Sequence, residues 1–532
     1  MPEPIPLVVF EDDHLLVVNK PAGINTHAPS PYAGEGLYDW LRHREPRWSH
    51  LAIVHRLDKD TSGLLVFGKT PLANRSLTGQ FTRREVRKTY LLLSDRPAPQ
   101  KEFTVVSALV KAGEKYVSRP LHIGGDRAET RFEVIETPDA RTWVQAQPVT
   151  GRTHQIRVHA ADSGLPILGD VLYGGVPADR LCLHARDLAF QHPATGAPIA
   201  FRAPALFSGD PRLDLRRALI DETATNACRW RHGGSDGQPG WFVDRLGDFL
   251  LSQSEHPLSA PQREQLARWC ESFSLRGAYH KPLGRQARGA APTEASPQPV
   301  LGEVAPERFA IRENGISFEL SFQEGYSVGL FLDQRDNRRR LLAQHVAAGF
   351  PLRTSAAPEW EVLNAFAYTC GFSVCAARAG ARTTSLDLSK KYLDWGKRNF
   401  GLNGLDPADH DFLYGDAFDW MGRLARKKRR FDVIVLDPPT FSRSKEHGVF
   451  QAEKDYGTLV RAALPLLRPG GVLLASTNAA QLAPERFVAA VEEAITAAGR
   501  TCLNRHYAPQ PPDFPVSRVE PAYLKTFWVR VS

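Results

Sequence analysis

The loop between two short apolar runs near the start of the chain is dense in polar side chains. In LAIVHRLDKDTSGLLVFGK, the runs LAIV and LLVF are typical of strands, and the stretch between them places Asp58 beside Arg56. Thr61 and Ser62 follow, and Gly63 lets the backbone turn back into the second strand. Catalytic side chains are commonly carried on loops that a rigid scaffold positions. We therefore predict that this loop is a site of carboxylate chemistry and not only a turn.

Three acidic side chains and one amide occur where successive predicted strands of the C-terminal half end. They are Asn364 after EVL, Asp387 in TTSLD, Asp416 in YGD and Asp437 after DVIVL. Ligands of an open parallel sheet bind beyond the carboxyl ends of its strands, so these side chains would face a common ligand. Asp387 follows the first strand by about 20 residues, the spacing of an acid that accepts hydrogen bonds from ribose hydroxyls. Asp416 is expected to meet an adenine amino group.

The turn after the first of these strands, NAFAYTCG, is a candidate cofactor loop without the glycine pattern of a phosphate site. Cys370 stands where a second glycine of G-x-G-x-x-G would be expected, so phosphate binding is disfavoured. S-adenosylmethionine has no phosphate and is the cofactor that such a turn favours. The predicted cofactor-binding residues are Asn364, Phe366, Tyr368, Thr369, Gly371, Asp387, Asp416 and Asp437.

A double proline after the fourth strand predicts a rigid platform for a nucleobase. Pro438 and Pro439 cannot donate backbone hydrogen bonds and keep the chain extended after Asp437. Phe441 is then placed to stack on an extruded base, whose edge Asp437 can hydrogen-bond. The predicted substrate-base residues are Pro438, Pro439 and Phe441, and Asp437 is also a catalytic candidate.

The two groups of side chains fall in regions with different secondary-structure patterns, which together predict a multidomain α/β protein. From Leu7 to about Pro204, short β-branched runs predict an antiparallel-rich α+β unit with helices near 72–86 and 154–162. After Phe309, strands alternate with helices, which is typical of a Rossmann-like, doubly wound parallel sheet. The expected units are 1–205, a linker helix in 206–225, a small β-rich module in 226–308 with a flexible loop at 284–305, and 309–532.

Composition and charge exclude several classes of protein. The 532 residues are 42% hydrophobic and 24% charged, which is ordinary for a globular protein, and the net charge is +8. Basic runs at 83–88, 338–340 and 423–430 are candidate phosphate contacts, although such runs are more often solvated surface. The six cysteines lack C-x-x-C spacing, and no apolar run approaches the ~18 to 20 residues that cross a bilayer. We expect a cytoplasmic protein without disulfides, a metal site or membrane contact.

The N-terminal motifs resemble those of the RluA-type pseudouridine synthase family. HRLDKDTSG is followed in order by RKTYLLL, VTGRTHQIRVHA, PILGDVLYG and LHARDLAFQHPATG, and the likeness covers residues 7–205. The resemblance implies that uridine is isomerised to pseudouridine without a cofactor, in a nucleotide that has flipped out of its helix. It assigns the reacting carboxylate to Asp58, a place against the uracil face to Tyr90, and the space that the base vacates to Arg56.

A carboxylate that reacts in a partly buried site needs a cation nearby, because burial favours its neutral form. Arg157, in the RTHQIR element, is the partner that the resemblance implies, and Arg152 is the substitute. A pair at ~4 Å and an effective dielectric of ~20 is worth about 4 kcal/mol before desolvation. His55 and His154 are expected to orient loops and to take no part in the chemistry. The predicted catalytic residues of this half are Asp58, Tyr90, Arg157 and Arg56.

The C-terminal motifs are similar to those of the RlmK and RlmI group of large-subunit rRNA methyltransferases. GYSVGLFLDQRDNR, TTSLDLSKKYLDWGKRNFGLNGLD, DVIVLDPPTFSRSK and GGVLLAST carry the likeness, and SDGQPGWFVDRLGD extends it to residues 226–532. It implies S-adenosylmethionine as cofactor and 23S rRNA, or a ribosome assembly intermediate, as partner. Members that make 5-methylcytosine need a cysteine after the late strand, where this sequence has Ser476, Thr477 and Asn478. Guanine N7 offers a lone pair directly, so 7-methylguanosine is the favoured product.

Two alternatives to a bifunctional 23S rRNA enzyme stay open. The first alternative is a variant of the same function, in which the product of methyl transfer is 5-methylcytosine or the substrate is tRNA. It stays open because the rRNA preference follows from family likeness alone. In an alternative of another class, one half is catalytically idle and serves the other as an RNA-binding platform. The glycine-poor NAFAYTCG turn leaves this alternative open.

Overall fold

Three β-sheets, of eleven, five and seven strands, follow one another along the chain. A computed structural model describes residues 7–98, 100–137, 141–283, 296–325, 327–354, 359–444 and 448–532. The sheets occupy the α+β, β-rich and doubly wound regions that the sequence predicts, so the fold is multidomain α/β. Within the described ranges, no helix is long and apolar enough to cross a membrane.

The N-terminal sheet is antiparallel at all but one of its described strand pairings. Its strands are β1 (Val8–Glu11), β2 (Leu15–Lys20), β3 (Ala52–Ile53), β4 (Ser62–Gly68), β5 (Arg87–Ser94), β6 (Glu102–Ala112), β7 (Lys115–Arg119), β8 (Asp126–Glu136), β9 (Thr142–Pro148), β10 (Leu183–Gln191) and β11 (Pro198–Arg202). Their order is β1-β2-β4-β10-β5-β9-β8-β6-β7, with β3 beside β4 and β11 beside β10. The parallel pairing joins β4 to β10. Every residue of β2 and β4 is buried, as expected for central strands covered on both faces.

Of the three helices described at the N-terminal sheet, the second and third lie where the sequence predicts helices, and the first was not predicted. They are α1 (Leu37–Arg44), α2 (Pro71–Thr82) and α3 (Gln155–Asp162), and α4 (Pro211–Leu219) lies in the expected linker. Thr70 caps α2 by accepting a hydrogen bond from the Ala73 amide at 3.2 Å, and Pro71 occupies the first turn, where its missing amide hydrogen costs nothing. Leu215 of α4 packs on the core of the N-terminal unit and Leu213 on that of the next unit, so the linker helix contacts both.

The middle sheet extends into the segment that we expected to be a loop. Its strands are β12 (Ala227–His232), β13 (Trp241–Leu246), β14 (Phe249–Ser254), β15 (Gly277–Pro282) and β16 (Gln298–Gly302), in that order, with α5 (Ala260–Ser272) beside them. The prediction of a loop over 284–305 was wrong for β16, which pairs antiparallel with β15. Val300 and Leu301 supply apolar side chains that pack on the core of this unit, and this packing outweighs the turn-forming composition around them. Residues 284–295 of that loop lie outside the described residues.

The C-terminal sheet has five parallel strands followed by two antiparallel ones. Its strands are β21 (Trp360–Ala365), β22 (Ala381–Asp387), β23 (Asp411–Tyr414), β24 (Phe431–Leu436), β27 (Leu467–Thr477), β28 (Cys502–Ala508) and β29 (Lys525–Val531), and three hairpins are formed by β17 (Phe309–Glu313) with β18 (Ile316–Leu320), β19 (His345–Ala347) with β20 (Phe350–Pro351), and β25 (Phe441–Ser444) with β26 (Gly448–Gln451). The order is β23-β22-β21-β24-β27-β29-β28. Strand order reverses at β21, which places a crevice at the carboxyl ends of β21 and β24.

Helices connect these parallel strands and cover the sheet. They are α6 (Arg335–Leu342), α7 (Gly371–Arg378), α8 (Lys390–Leu402), α9 (Ala417–Arg426), α10 (Ala452–Ala463) and α11 (Pro484–Ala497). Ser389 caps α8 and Asp416 caps α9, so two strand ends pass directly into helix starts. Because those helices start beside the crevice, the short turns before them become its walls.

The arginine run at 338–340 is buried and does not form an RNA-facing surface. Arg338, Arg339 and Arg340 are 2%, 9% and 4% exposed. Arg338 pairs with Glu313, 2.6 Å away on β17, and Arg339 pairs with Glu45, 2.7 Å away just after α1. The interpretation of this run as candidate phosphate contacts was therefore wrong, because acidic groups from other elements neutralise the guanidinium groups inside the protein.

A seam between α1 and the C-terminal unit joins the two outer domains. Besides the Glu45–Arg339 pair, the rings of His43 and His506 lie 4.5 Å apart and those of Tyr32 and Tyr507 lie 5.0 Å apart. His345 on β19 approaches the carbonyl oxygen of Arg42, with its Nε2 at 3.3 Å. The seam thus combines buried charge pairs with aromatic contacts.

Candidate active sites

Asp58 lies in the loop between β3 and β4, next to a largely buried guanidinium. Its Oδ2 is 3.7 Å from Nη1 of Arg157 on α3, and its side chain is 29% exposed. Nε and Nη2 of Arg157 donate to the two carboxylate oxygens of Asp170, each at 2.7 Å. The bidentate pair with Asp170 fixes the guanidinium plane and leaves Nη1 toward Asp58. The Asp58–Arg157 pair that the sequence predicts is therefore one side of a carboxylate–guanidinium–carboxylate triad.

The two carboxylates of this triad stabilise the positive charge of its guanidinium. Burial lowers the pKa of Arg157, but the hydrogen bond and charge of Asp170, with the charge of Asp58, raise it above its ordinary value. The guanidinium is therefore cationic at every pH at which the protein folds, and Asp58 always has a positive neighbour.

Buried groups also hold the Asp58 loop rigid. Lys20 donates through Nζ to three backbone carbonyls, including that of Lys59 at 2.9 Å. The Thr26 hydroxyl donates to the Leu57 carbonyl at 2.8 Å and accepts from the amide of the same residue. Gly63 has φ of +119°, and a Cβ there would lie 2.3 Å from a carbonyl oxygen of β10, so no other residue fits. The carboxylate is thus presented by a fixed loop.

The remaining predicted residues of this half differ in their position relative to Asp58. Tyr90 on β5 is buried, and its burial together with the charge of Asp58 raises the pKa of its phenol. Arg56 is exposed to solvent. Arg152, named as the substitute partner, pairs instead with Asp126 on the surface, at 3.5 Å. Arg157 and not Arg152 is therefore the cation beside Asp58.

Three residues near Asp58 were not assigned to the site from sequence. His154 was expected only to orient a loop, yet its Nε2 lies 3.9 Å from Asp58 Oδ2. Its Nδ1 shares a hydrogen bond of 2.8 Å with the hydroxyl of Tyr173, whose ring lies 5.0 Å from the Arg157 guanidinium carbon. Tyr173 and Asp170 both belong to PILGDVLYG, a motif that marks the family but does not by itself reveal a contact with the loop. His55, by contrast, is a structural residue that accepts a hydrogen bond from the Val66 amide at 3.1 Å.

Asp170→Asn is expected to weaken both stability and the first reaction. The side chain is 1% exposed, and its loss of charge leaves Arg157 buried with only the more distant Asp58. We expect the free energy of unfolding to fall by about 3 kcal/mol in urea titrations. A displaced guanidinium would slow pseudouridine formation by roughly 10- to 100-fold in single-turnover assays. Glu85→Gln, which breaks an exposed pair with Arg83, is the control and should change neither quantity measurably. Equal stability of the two variants would contradict the expectation.

The second site is a cavity of about 230 Å³ at the carboxyl ends of the parallel strands. Phe366 after β21, Asp387 at the end of β22 and Asp416 after β23 all line it. Asp387 accepts hydrogen bonds from the amides of Tyr368 and Ser389, each at 2.8 Å, so its carboxylate is fixed at the rim. Two of the acids that the sequence predicts at successive strand ends, Asp387 and Asp416, therefore meet at one cavity.

The turn from β21 to α7 has an unusual backbone. Phe366, Tyr368 and Cys370 adopt left-handed conformations with φ of +64°, +50° and +63°, as glycines would. Such strain persists only where surrounding contacts determine the conformation. The amide of Tyr368 binds Asp387, the carbonyl of Thr369 accepts from the Asn399 side chain at 2.9 Å, and α8 approaches Cys370 at a glycine. The loop therefore has a preformed shape although it lacks the G-x-G pattern.

Not all of the predicted cofactor residues reach the cavity. Asn364 is 1% exposed and donates to the Ser373 hydroxyl at 3.0 Å beneath the turn. Tyr368, Thr369 and Gly371 form the turn itself and are absent from the cavity wall as the structure describes it. These four residues shape the loop, and the predicted cofactor residue Asp437 is likewise absent from the described cavity wall. Phe366, Asp387 and Asp416 face the enclosed space.

Asp437 follows β24 and lies in a polar cluster between β24 and β27. Gln334 donates through Nε2 to Asp437 Oδ1 at 3.1 Å and to the Ser476 hydroxyl at 2.8 Å. Burial raises the pKa of Asp437 to about 6, and the charge of Asp333 adds to this, whereas the Ser476 hydrogen bond opposes it. Tyr456 donates to the carbonyl of Leu436 at 2.9 Å and so fastens the strand end below the aspartate. Gln334, which the sequence analysis did not assign to the site, belongs to the FLDQRDNR motif.

The double proline leads from Asp437 into the β25–β26 hairpin. Pro438 is buried, Pro439 is exposed, and the Phe441 side chain is 59% exposed. The same hairpin contributes Val449 and Phe450 to the cavity wall. The hairpin that contributes to the cavity wall therefore also carries an exposed aromatic ring, which the DPPTF motif predicts for stacking on a base.

None of the six cysteines lies where it could attack a base at this site. All six fall within the described residues, and none lines the cavity. Cys370 and Cys375 are buried around the start of α7, and burial raises the pKa of the Cys370 thiol to about 12. A protonated, enclosed thiol is a packing group and not a nucleophile.

Comparisons with known proteins match the N-terminal and C-terminal parts of the chain to two different families. Residues 14–162 match the family model for RNA pseudouridylate synthase, and residues 278–530 match that for S-adenosylmethionine-dependent methyltransferase. A ribosomal RNA large subunit methyltransferase of Deinococcus radiodurans is 33% identical over 334 residues, which cover 60% of this chain and 78% of that protein.

Two further relatives cover one half each. The ribosomal large subunit pseudouridine synthase C of Vibrio vulnificus is 42% identical over 207 residues, and the match spans 37% of this chain and 65% of that protein. The solved structure of a SAM-dependent methyltransferase from Streptococcus mutans is 30% identical, with a TM-score of 0.51, and covers 64% of this chain and 87% of that one.

Proposed function

The chain belongs to the family of S-adenosylmethionine-dependent rRNA large-subunit methyltransferases and carries an RNA pseudouridylate synthase domain ahead of it, and from this premise we propose that it modifies 23S rRNA at two nucleotides. The first reaction isomerises a uridine, and the second methylates N7 of a guanine. The triad around Asp58 carries the first assignment, and the cavity lined by Asp387 and Asp416 carries the second. Both act in the cytoplasm on free rRNA or on a ribosome assembly intermediate.

Isomerisation needs no partner beyond the RNA. The bond between ribose C1′ and uracil N1 breaks, a bond between C1′ and C5 forms, and the proton on C5 is released as N1 gains one. Asp58 is the group that meets the flipped nucleotide, and the Arg157 guanidinium lies 3.7 Å from its carboxylate. Tyr90 has a raised phenol pKa, so it contributes a neutral ring face and is a poor acceptor for the C5 proton. Burial lowers the pKa of His154, and this neutral imidazole beside Asp58 is the better acceptor.

The second site fits S-adenosylmethionine by the chemistry of its walls. Asp387 offers carboxylate oxygen to ribose hydroxyls, Asp416 lies where the adenine amino group would be, and Phe366 and Phe418 supply apolar surface for the ring. The cavity that these residues line has a volume of about 230 Å³. The cofactor supplies an activated methyl group on a sulfonium centre. The protein's own part is to hold the target base on Pro439 and Phe441 with its nucleophilic atom toward that methyl.

Guanine N7 is favoured over cytosine C5 because the site supplies no covalent catalyst. Methylation at C5 of cytosine requires a thiolate that adds to the ring, and the enclosed cysteines do not provide one. The end of β27 offers Ser476 and Thr477, both fully buried, and then Asn478. N7 of guanine carries a lone pair and needs only alignment with the methyl group.

Chemical readouts on two parallel reaction mixtures test the proposal. The purified chain is incubated with 23S rRNA transcribed in vitro, with and without S-adenosylmethionine. We expect a carbodiimide-dependent reverse-transcription stop at a uridine in both mixtures, and borohydride- and aniline-dependent strand scission at a guanine only with the cofactor. Assembly particles are assayed in parallel to identify the physiological form of the substrate.

Each other outcome contradicts a named part of the proposal. A bisulfite-resistant cytosine in place of scission would assign 5-methylcytosine. Modification of tRNA but not of rRNA would overturn the substrate. One modification without the other would make the silent half an RNA-binding platform, and Asp58→Ala or Asp437→Ala would then leave the remaining activity unchanged.

A further inference from the structure

A relay of four hydrogen-bonded side chains runs from the core of the C-terminal sheet to Asp437. Trp528 on β29 donates through Nε1 to Asn337 Oδ1 at 3.1 Å. Asn337 on α6 donates through Nδ2 to Gln334 Oε1 at 2.7 Å, and Gln334 donates through Nε2 to Asp437 Oδ1 at 3.1 Å. Trp528, Asn337 and Gln334 are 0%, 2% and 3% exposed. Water therefore does not compete for these bonds.

The direction of every hydrogen bond in this relay is fixed by its first member, Trp528. An indole N–H can only donate, so Asn337 must present its oxygen to Trp528 and its NH₂ to Gln334. Arg340, which also can only donate, lies 3.5 Å from the same oxygen. Gln334 must then accept at its oxygen and donate at its nitrogen. The nitrogen reaches both Asp437 and Ser476, and the Ser476 hydroxyl in turn hydrogen-bonds the Asp437 carboxyl group.

We infer that Gln334 is a positioning residue for methyl transfer, which through the relay from Trp528 and Asn337 makes Asp437 Oδ1 an obligate hydrogen-bond acceptor. Any proton that Asp437 binds must lie on Oδ2, and the carboxylate form is favoured over the acid. Such a group selects a base edge that offers an N–H, as the N1 and amino groups of guanine do. This inference rests on the proposed methyltransferase function and names the residues that set the state of its aspartate.

The other charged groups around Asp437 do not replace the effect of the Gln334 hydrogen bond on its protonation. Asp333, just before α6, favours protonation of Asp437, and Arg338 on α6 favours its ionisation. Tyr456 on α10 is a buried neutral phenol whose pKa burial and Asp437 raise. With the pKa of Asp437 raised to about 6, the group loses its proton as the pH rises through that value, so methyl transfer should rise with it. Loss of the Gln334 donor would move this rise to higher pH.

Asn337→Asp tests the relay because replacing the amide nitrogen with oxygen should reverse the direction of its hydrogen bonds. The donors on Trp528 and Arg340 favour the ionised form of an aspartate at 337, which cannot donate, so Gln334 must turn its NH₂ toward it and face Asp437 and Ser476 with oxygen. Two acceptors then oppose each other, and Asp437 must hold a proton. We expect the pH of half-maximal single-turnover methylation to rise by at least about one unit, a tenfold loss of rate below that pH, with the affinity for S-adenosylhomocysteine unchanged. Gln334→Met, which keeps the length of the side chain but has no donor, should shift the profile in the same direction.

A matched control and a second readout keep the outcome clear. Asn403→Asp makes the same amide-to-acid change at a half-buried residue on the C-terminal cap of α8, outside the relay, and should leave the pH profile as it is. Infrared difference spectra against Asp437→Asn report the carboxylic acid band directly as pH varies, whether or not RNA is turned over. A wild-type profile and acid band in both Asn337→Asp and Gln334→Met would overturn the inference. Failure of the wild-type protein to methylate RNA while the acid band still shifts would overturn only the proposed reaction.

Discussion

Pseudouridine formation should fall by roughly a thousandfold or more in Asp58→Asn, because the change removes the charge that meets the nucleotide and leaves its shape. Arg157 would then lie beside a neutral amide, and its bidentate pair with Asp170 would remain. The loop is held by Lys20 and Thr26 independently of the Asp58 side chain, so we expect the fold to be retained. Carbodiimide primer extension on the variant's RNA product measures the loss.

The same chain supplies the controls for Asp58→Asn. Methylation by this variant should equal that of the wild type, which excludes misfolding as the cause. Asp60→Asn, two residues away on the same loop and exposed, should retain pseudouridine formation within a factor of about three. Normal pseudouridine yield in Asp58→Asn at single turnover would contradict the assignment of the reacting carboxylate.

Cofactor affinity should fall by about a hundredfold or more in Asp387→Ala, equivalent to about 2.7 kcal/mol. The carboxylate is expected to bind the cofactor ribose and also receives the amides of Tyr368 and Ser389. Hydrogen bonds to a charged group are worth about 1.5 to 3 kcal/mol each, so losing either role is enough for this effect. Removal of the Tyr368 contact also releases the strained turn. Isothermal calorimetry with S-adenosylhomocysteine measures the affinity.

A neighbouring acid provides the comparison for Asp387→Ala. Asp394→Asn removes an exposed carboxylate on α8 that pairs with Lys397 and should leave the affinity unchanged. Burial raises the pKa of Asp387, so its carboxylate takes up a proton earlier than usual as the pH falls, and wild-type affinity should decline in acid. An affinity in Asp387→Ala within threefold of the wild type would contradict the predicted ribose contact.

Residues whose position follows from topology could be predicted from the sequence. Asp387, Asp416 and Asp437 end parallel strands, and such ends meet at one edge whatever the details of packing. Asp58 was identifiable because an apolar strand on each side confines its loop. The alternation of strand and helix likewise predicted the doubly wound sheet, since its periodicity is local.

Residues whose role arises from packing between distant segments could not be predicted. Gln334 and Asp437 are 103 residues apart, and no local pattern links an amide before α6 to a strand end. Asp170 is an ordinary turn residue until the fold places Arg157 beside it. The run at 338–340 reads as surface charge because the acids that neutralise it, Glu313 and Glu45, come from elements distant in the sequence. The β16 strand was missed because its pairing with β15 outweighs a composition typical of loops.

The seam at α1 bears on how the two activities have stayed together. Arg339 has its carboxylate partner, Glu45, in the other half of the chain, and His506 meets His43 across the same boundary. Separating the two halves would leave Arg339 without its Glu45 partner and the ring of His506 without its contact to His43. Divergence into two separate enzymes would first require this seam to be rebuilt. Until then, every chain that is synthesised carries both catalytic domains, so the two are present in equal number.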